Sequence, residues 1–407
     1  MFISMYDASL ICQSIEIFVK LGKGGVYILT AKKDNDKIFT LERQMTREQL
    51  EHLRSTSQFT CPQCGNPLRL KIGKVVTPHF AHIVLTDCFT SFSERETPTH
   101  LIGKQQLAEF FTRIGYKVEV EAFVPKISQR PDLLIRKNKS LYAIEFQCSV
   151  IPTEAIEKRN SGYRRIKIPT VWILRSPLNF NTSGVTWIKL SKFEQSFIMI
   201  DSLSNPTLIT YNPSNSQFIY FSHLVHISGT SFVSKICTLS IEDQTFAFAR
   251  VKPPTEIEQK QYWRIYQHKR LKFLTNRIFT SKFGARDKFL NDCYLQRILP
   301  ENLPLYIGFP ISGSQVFHHH STEWQLGLIS WLANQQVDLA NVNESLIEAF
   351  LIEHCRVLDL ILAIDVIQKY CQLLQCINYN LTELVSQQLV SESYLIEHFH
   401  RFIVAKR

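Results

Sequence analysis

The sequence has few of the residues that interrupt regular secondary structure: 14 of its 407 residues are glycine and 16 are proline. Collagen-like chains and Gly/Pro-rich disordered chains contain far more of both, so these classes are excluded. Long apolar runs are missing as well. The best of them, residues 358–367, contains Asp365 and falls short of the ~18 apolar residues of a membrane helix. A membrane protein is therefore not expected.

A recognisable secretory signal is lacking too. Asp7 and Glu16 stand where a signal peptide has a basic flank followed by an apolar stretch. We therefore expect a cytoplasmic protein, in which the ten cysteines are mostly reduced. Clustered cysteines in such a chain are first considered as metal ligands.

Positive charge, in contrast, is in excess: 46 Lys and Arg against 36 Asp and Glu give a formal net charge of +10. Residues 94–190 hold 16 basic and 9 acidic residues, and residues 250–297 hold 12 and 4. Two such blocks favour a polyanionic partner, with nucleic acid as the first choice. The alternative is ordinary solvated surface charge. In the second block, interleaved aromatic and basic residues fit either contact with single strands or an amphipathic helix.

The hydrophobic periodicity predicts an α/β protein in four parts. Residues 1–93 form a small β-rich module. Residues 94–190 predict the order αβββαβ, with helices at 98–113 and 153–165 and strands at 116–124, 131–136, 141–147 and 170–174. In residues 191–250, short strand patterns separated by Asn, Ser and Pro clusters predict an irregular connector or a small β layer. Residues 251–407 are predicted to be a helical C-terminal domain.

A Cys/His segment lies in the first part. Cys61 and Cys64 enclose two residues and precede a glycine, and His79, His82 and Cys88 follow. Zinc takes four nitrogen or sulfur ligands in a tetrahedron. Cys61 and Cys64 are the firm pair, and spacing alone does not choose the other two ligands among the three remaining residues. With four protein ligands the zinc would be structural; the alternative is a group of reduced cysteines and core histidines.

Carboxylates mark the second part. Asp132 opens the strand 131–136, and Glu145 lies near the end of the strand 141–147, after a turn at 138–139. A hairpin would bring the two side by side, with Gln147 on the same face as Glu145. Two carboxylates at one site repel each other unless a cation bridges them, and Mg²⁺ or Mn²⁺ suits such oxygen ligands. The alternative is a pair of solvated edge carboxylates; Glu121, on the first strand, is a further acidic candidate.

This residue pattern and element order resemble the PD-(D/E)xK (restriction-endonuclease-like) nuclease superfamily. The resemblance implies that Asp132 and Glu145 hold a catalytic Mg²⁺ or Mn²⁺, and that an acidic residue by the preceding helix, here Glu96, assists. Gln147 stands where the superfamily usually has a lysine that positions the attacking water. Glutamine brings hydrogen bonds but no positive charge, so His100 or Lys104 would have to supply that charge from the helix.

The combined motifs are similar to those of the competence protein CoiA family. They run in the order C-P-x-C, H-F-A-H, E-x3-H-x3-K from Glu96 through His100 to Lys104, R-P-D, and A-I-E-x-Q-x-S, and the resemblance covers roughly residues 15–175. It implies a nuclease-like core with a zinc-finger-like N-terminal segment. It also implies a role in transformation of naturally competent Gram-positive bacteria, on incoming single strands that are recombined into the chromosome.

The expected activity is metal-dependent hydrolysis of DNA, single-stranded or in recombination intermediates. Arg130, Arg159 and Tyr163 are expected to contact the DNA; for the last two, packing on the helix surface is the alternative. Recombination proteins are possible partners. The competing hypothesis is a catalytically weak or inactive nuclease-fold protein that binds DNA and mediates recombination, and a third is a zinc-anchored protein–protein adaptor. Gln147 is the residue on which the choice between the first two depends.

Overall fold

The computed structural model describes residues 27–34, 37–73, 77–84, 97–176, 183–200, 205–282, 284–381, 383, 385 and 390–403. The protein is a mixed α/β chain that forms two compact units. The first comprises Met1–Arg175 and Pro213–Ser216, and the second comprises Ser176–Asn212 and Gln217–Arg407. The four-part division expected from the sequence is finer than these two units and stays a prediction.

The first unit begins with a five-stranded antiparallel sheet in the order β2-β1-β3-β4-β5. Its strands are β1 (Thr30–Lys33), β2 (Lys37–Thr40), β3 (Phe59–Thr60), β4 (Pro67–Lys71) and β5 (His79–His82). Helix α1 (Arg47–Thr56) lies between β2 and β3 and starts at a capping box, in which Thr46 and Gln49 satisfy each other's backbone N–H groups. We call residues 27–84, as far as they are described, the N-terminal module.

The rest of the first unit has the predicted order αβββαβ. Its elements are α2 (Pro98–Arg113), β6 (Lys117–Val120), β7 (Leu133–Lys137), β8 (Ser140–Gln147), α3 (Thr153–Arg165) and β9 (Thr170–Arg175). Strands β6, β7 and β8 pair antiparallel, and β9 joins β8 in parallel after the crossover through α3. A turn with Asn138 in the left-handed region joins β7 to β8.

Helix α2 packs closely on this sheet because one of its residues is glycine. A Cβ atom on Gly103 would lie 2.1 Å from Cε1 of Phe146 on β8, so a side chain there would overlap the ring. One turn further along the helix, Gln106 is also buried and donates to the carbonyl oxygen of Pro213 at 3.1 Å. The segment Pro213–Ser216 therefore belongs to the first unit although the chain on either side of it does not.

The second unit begins with a β layer over residues where an irregular connector was one of two expectations. Its strands are β10 (Gly184–Lys189), β11 (Met199–Ile200), β12 (Pro206–Asn212), β13 (Gln217–Ser228) and β14 (Ser231–Ser240). Strands β10, β14, β13 and β12 pair antiparallel in that order. The connector expected over 191–250 is thus corrected to the other expectation, a β layer: the Asn/Pro/Ser cluster at 212–215 marks a tight turn between β12 and β13 rather than an irregular chain.

Helices make up the remainder of the second unit, as predicted. They include α4 (Lys192–Gln195), α5 (Glu256–Thr280), α6 (Lys288–Leu295), α7 (Ser321–Asn334), α8 (Glu344–His354), α9 (Leu360–Cys376) and α10 (Glu392–Ile403). Arg270 of α5 is buried and donates to the carbonyl oxygens of Leu303, Pro304 and Ile307. In the part of the chain that the structure describes, no helix is both long and apolar enough to span a bilayer.

Candidate functional site

Asp132 and Glu145 lie side by side, as the hairpin predicted. Leu133 of β7 pairs with Ile144 of β8 in an antiparallel register. The residue before Leu133 is Asp132 and the residue after Ile144 is Glu145, so these two lie opposite each other. The backbone N–H of Phe146 donates to Asp132 Oδ2 at 2.8 Å, which fixes the carboxylate across the hairpin. The side chain of Asp132 is 15% exposed, whereas that of Glu145 is 1% exposed. Asp132 is therefore the carboxylate of the pair that solvent reaches.

Two basic side chains of α2 face Asp132. His100 Nε2 lies 3.3 Å from Asp132 Oδ2, and Lys104 Nζ lies 3.6 Å from Oδ1. Burial by itself would raise the pKa of Asp132, but His100, Lys104 and the more distant Arg159 together hold this pKa well below its usual range. Asp132 is thus ionised across the whole physiological range.

Both oxygens of Glu145 are hydrogen-bonded to helix α3. The hydroxyl of Tyr163 donates to Oε1 at 2.7 Å, and the guanidinium of Arg159 donates to Oε2 at 2.5 Å. Burial raises the pKa of Glu145, and the charge of Asp132 adds to this; Arg159 and Tyr163 oppose it without cancelling it. Arg159 and Tyr163 are four residues apart, so they project from one side of the helix, and this side carries both donors to Glu145.

The expected DNA contacts Arg159 and Tyr163 therefore have different surroundings. Tyr163 is completely buried, where it holds Glu145. Arg159 keeps 31% of its side chain exposed, so it reaches solvent beside the carboxylates. Arg130 is half-buried. Burial lowers the pKa of His82 and the charge of Arg130 lowers it further, so Arg130 lies near the Cys/His segment as well as next to Asp132.

Lys104 belongs to a buried network that the motifs did not indicate. Its side chain has no exposed surface, and its ammonium donates to Glu121 Oε1 at 2.5 Å. The other oxygen of Glu121 accepts the backbone N–H groups of Leu29 at 3.0 Å and Thr30 at 3.2 Å. His100 or Lys104 was expected to supply positive charge at the site; the ammonium of Lys104 is buried between Glu121 and Asp132. The contacts with residues 29 and 30 span about ninety positions of sequence, so no local pattern could have revealed them.

The remaining predicted residues around the carboxylates are placed as follows. The amide of Gln147 donates to the carbonyl oxygen of Ser149 at 2.8 Å, and the residue is buried. Glu96 lies outside the described residues. Helix α2 begins two residues later at Pro98, with the side chain of Thr97 accepting from the N–H of His100. Gln147 thus lies on the predicted strand, and its side-chain amide N–H₂ points toward the residues that follow it.

Three of the five predicted zinc ligands come together in the N-terminal module. The ligand atoms of Cys61, Cys64 and His82 all lie within 4.8 Å of one another, and Cys64 Sγ is 3.4 Å from His82 Nε2. Gly65, at a positive φ of 71°, lets the chain turn so that its N–H bonds to the carbonyl of Cys61. The structure thus contains a possible metal site at the position predicted from C-x2-C.

His79 does not join this group. It is three residues from His82 on the same strand, and side chains at that separation point to opposite faces. Its Nδ1 makes a hydrogen bond with the carbonyl oxygen of Thr77 at 2.9 Å, and its ring packs on Tyr27 with centroids 4.1 Å apart. Cys88 lies outside the described residues. Among those that are described, no other group of three or more His, Cys, Asp or Glu side chains is close enough to hold a metal.

Comparisons with known proteins agree with the resemblance seen in the motifs. Residues 96–252 match the family model described as "Competence protein CoiA, nuclease-like domain", and residues 42–91 match "Competence protein CoiA, N-terminal domain". The chain is also similar to a curated protein, "Competence protein CoiA" of Bacillus subtilis (strain 168). It is 29% identical to it over 269 residues, which cover 66% of this chain and 70% of the relative. Both parts of the predicted pattern, the Cys/His segment and the carboxylate pair, fall within the matched regions, and the chain belongs to the competence protein CoiA family.

Proposed function

We propose that this chain hydrolyses phosphodiester bonds of DNA with Mg²⁺ or Mn²⁺, at Asp132 and Glu145, when incoming strands are recombined during competence. The observation that carries the proposal is the pair of carboxylates at the same level of adjacent strands β7 and β8, in an αβββαβ arrangement like that of PD-(D/E)xK nucleases. The cytoplasm is the proposed place of action, with single strands or recombination intermediates as substrates and recombination proteins as partners.

The donor atoms suit a hard divalent cation, which prefers carboxylate oxygens. Asp132 Oδ1 has the ammonium of Lys104 at 3.6 Å, beyond the usual hydrogen-bond distance. Glu145 Oε2 accepts a hydrogen bond from Arg159. Because the long Arg159 side chain reaches solvent, it can move away from Glu145. When bound, the cation supplies Lewis-acid polarisation of the phosphate. Asp132 and Glu145 would hold it, and Arg159, displaced from Glu145, would turn to the anionic substrate.

Positive charge at the phosphate comes, in this proposal, from Arg159 and His100. Both side chains reach solvent next to Asp132, whereas Lys104 is completely buried and Gln147 is hydrogen-bonded to Ser149. A guanidinium offers donors that match phosphate oxygens in pairs. Losing one such contact in a transition state typically costs a factor of about 10²–10³ in rate, so Arg159→Met should lower kcat by roughly that factor.

For the N-terminal module we propose a structural zinc ion. Cys61, Cys64 and His82 would supply three ligands; because His79 lies on the other face of its strand, Cys88 is the remaining predicted ligand. Zinc with four protein ligands has no open position and contributes folding free energy rather than catalysis.

The test is a cleavage panel of single-stranded, duplex and branched DNA with Mn²⁺. We expect products from the wild-type protein and from Asp243→Ala, a control in which an exposed carboxylate is removed, but not from Asp132→Ala or Glu145→Ala. DNA binding should remain in all four proteins and weaken with salt. Equal products from wild type and Asp132→Ala would contradict hydrolysis at this site.

The second candidate function is DNA binding or recombination mediation without hydrolysis. The residue that favours it is Gln147, since an uncharged side chain occupies the place of the superfamily's lysine. It predicts salt-sensitive DNA binding by the wild-type protein and no cleavage products with Mn²⁺. The same panel therefore separates the two candidates.

A further inference from the structure

Glu121 lies at the junction between the N-terminal module and the carboxylate pair. It is 2% exposed, and its two oxygens face different partners. Oε2 accepts the backbone N–H groups of Leu29 and of Thr30, the first residue of β1, and Oε1 accepts from the ammonium of Lys104. Its own N–H donates to the carbonyl of Asp132 at 2.9 Å. The buried carboxylate of Glu121 thus bonds to the module and to helix α2, and the backbone N–H of the same residue bonds to Asp132, which directly precedes β7.

Lys104 stands between two carboxylates but is not shared equally. Its ammonium is 2.5 Å from Glu121 Oε1 and 3.6 Å from Asp132 Oδ1. The first distance is a short charge-assisted hydrogen bond, and the second is too long for one. The ammonium therefore lowers the energy of the Asp132 carboxylate through space while leaving the Oδ1 lone pairs without a bond from it.

We infer that Glu121 is a positioning residue that holds Lys104 away from Asp132, so that Oδ1 is open to the metal ion. This inference rests on the proposed function, since it concerns the same carboxylates. Without the negative charge of Glu121, Asp132 is the remaining carboxylate that faces the Lys104 ammonium among the described residues, and Lys104 would move onto Oδ1. The ammonium and the divalent cation would then compete for one oxygen.

The chemistry of the junction requires a carboxylate there. Three donors converge on the side chain: two backbone N–H groups on one oxygen and an ammonium on the other. A glutamine of the same shape has only one acceptor atom, so its amide N–H₂ would face either the ammonium or the two N–H groups. The backbone at Glu121 also has φ of +54°, a left-handed conformation that residues other than Gly, Asn and Asp rarely adopt. Strained backbone of this kind is kept where surrounding contacts over-determine it.

The same contact links the Cys/His segment to the site. Ile28, adjacent to the two residues that bond to Glu121, forms a two-way backbone bridge with Phe80. Phe80 is in β5, the strand that also carries His82. The position of the two N–H groups therefore depends on the strand that bears a predicted zinc ligand. The N-terminal module is, in this view, part of the support of the carboxylate site.

The experiment measures Mn²⁺ affinity of the full chain by electron paramagnetic resonance, with Asp132→Ala defining binding that does not involve the site. Glu121→Gln should bind Mn²⁺ at least about tenfold more weakly, a size typical of groups coupled within one charge network. Glu119→Gln, an exposed neighbour two residues away on β6, should bind as the wild type does. Glu121→Gln/Lys104→Met, which removes the competing ammonium together with its partner, should recover most of the affinity.

Amide hydrogen exchange at residues 28–30 provides the structural control. Exchange there should become faster in Glu121→Gln and in the double variant, with the rest of the first unit still protected. Wild-type Mn²⁺ affinity in Glu121→Gln, or equally weak binding in Glu121→Gln and the double variant, would overturn the positioning role. If Asp132→Ala binds Mn²⁺ as tightly as the wild type does, it is the proposed metal-dependent function that fails, so the two failures are distinguishable.

Discussion

Arg159→Met tests how far Arg159 offsets the cost of burying the negative charge of Glu145. The substitution keeps most of the side-chain length and removes the guanidinium that lies 2.5 Å from Glu145 Oε2. Removing one partner of a buried ion pair typically costs about 3–5 kcal/mol. Because Arg159 is 31% exposed, solvent screens part of the pair, and we expect the first unit to lose about 2–3 kcal/mol of its free energy of unfolding at pH 8.

The loss should depend on pH in a definite direction. Burial keeps the pKa of Glu145 above its ordinary value in the folded protein, so the folded state holds this proton more tightly than the unfolded chain does. The contribution of Glu145 to stability is therefore present at low pH and is lost as the pH rises through its folded pKa. Without Arg159 that pKa rises further. As the pH falls and Glu145 takes up a proton, the cost should fall toward about 1 kcal/mol, the value of a lost hydrogen bond.

Native-state hydrogen exchange measures this for the first unit alone. We expect its slowest amides in β8, a mostly buried strand paired on both sides, and these report the unfolding of that unit. Arg164→Met on the same helix is the matched control. Its guanidinium is 3.6 Å from Glu157 with both side chains mostly exposed, a pair worth about 0.5 kcal/mol or less. Equal losses for the two variants, or a loss for Arg159→Met that does not change between pH 5 and pH 8, would refute the account of Glu145.

Three further substitutions probe other parts of the chain. Gly103→Ala should destabilise the first unit by about 1–3 kcal/mol, seen as faster exchange in β8, because the new Cβ would lie 2.1 Å from the ring of Phe146; an unchanged exchange rate would contradict this packing. Arg270→Met should destabilise the second unit by about 3 kcal/mol, because three buried carbonyl oxygens lose their charged donor. Burial lowers the pKa of Arg270 only to about 10, so the donor is charged at neutral pH. The measurement is the urea midpoint, followed by tryptophan fluorescence. Cys61→Ser should reduce zinc, measured by mass spectrometry, from about one ion per chain, whereas Cys148→Ser, a half-buried thiol outside the module, should leave the zinc content as it is.

Much of the core around the carboxylates could be predicted from local pattern. The helix expected at 98–113 is Pro98–Arg113, and the helix expected at 153–165 is Thr153–Arg165. Each has a threonine or proline at its start; the first also has an apolar stripe and a glycine after its end, and the second is a mostly polar helix. The pairing of Asp132 with Glu145 followed from the two-residue turn, because a short hairpin fixes the register of its strands.

Partners distant in sequence could not be predicted in the same way. The first strand was expected to run to residue 124, but β6 ends at Val120, because Glu121 turns into the left-handed region to reach Lys104 and the module. Arg159 and Tyr163 were recognised as neighbours on one face of a helix, yet helical spacing does not tell whether that face meets DNA or a buried glutamate. His79 is not part of the Cys/His group because side chains three residues apart on a strand point to opposite faces. The sequence would have indicated this once His79 and His82 were assigned to one strand.

The segment Pro213–Ser216 has a consequence for how the protein can be divided. A gene fragment that stops at residue 175 would encode the first unit without the turn whose carbonyl receives the amide of Gln106. The region matched by the nuclease-like family model, 96–252, extends beyond this turn. A truncation at the end of β9 would therefore remove part of the first unit. The continuous stretch of sequence that matches the nuclease-like model includes residues of both units.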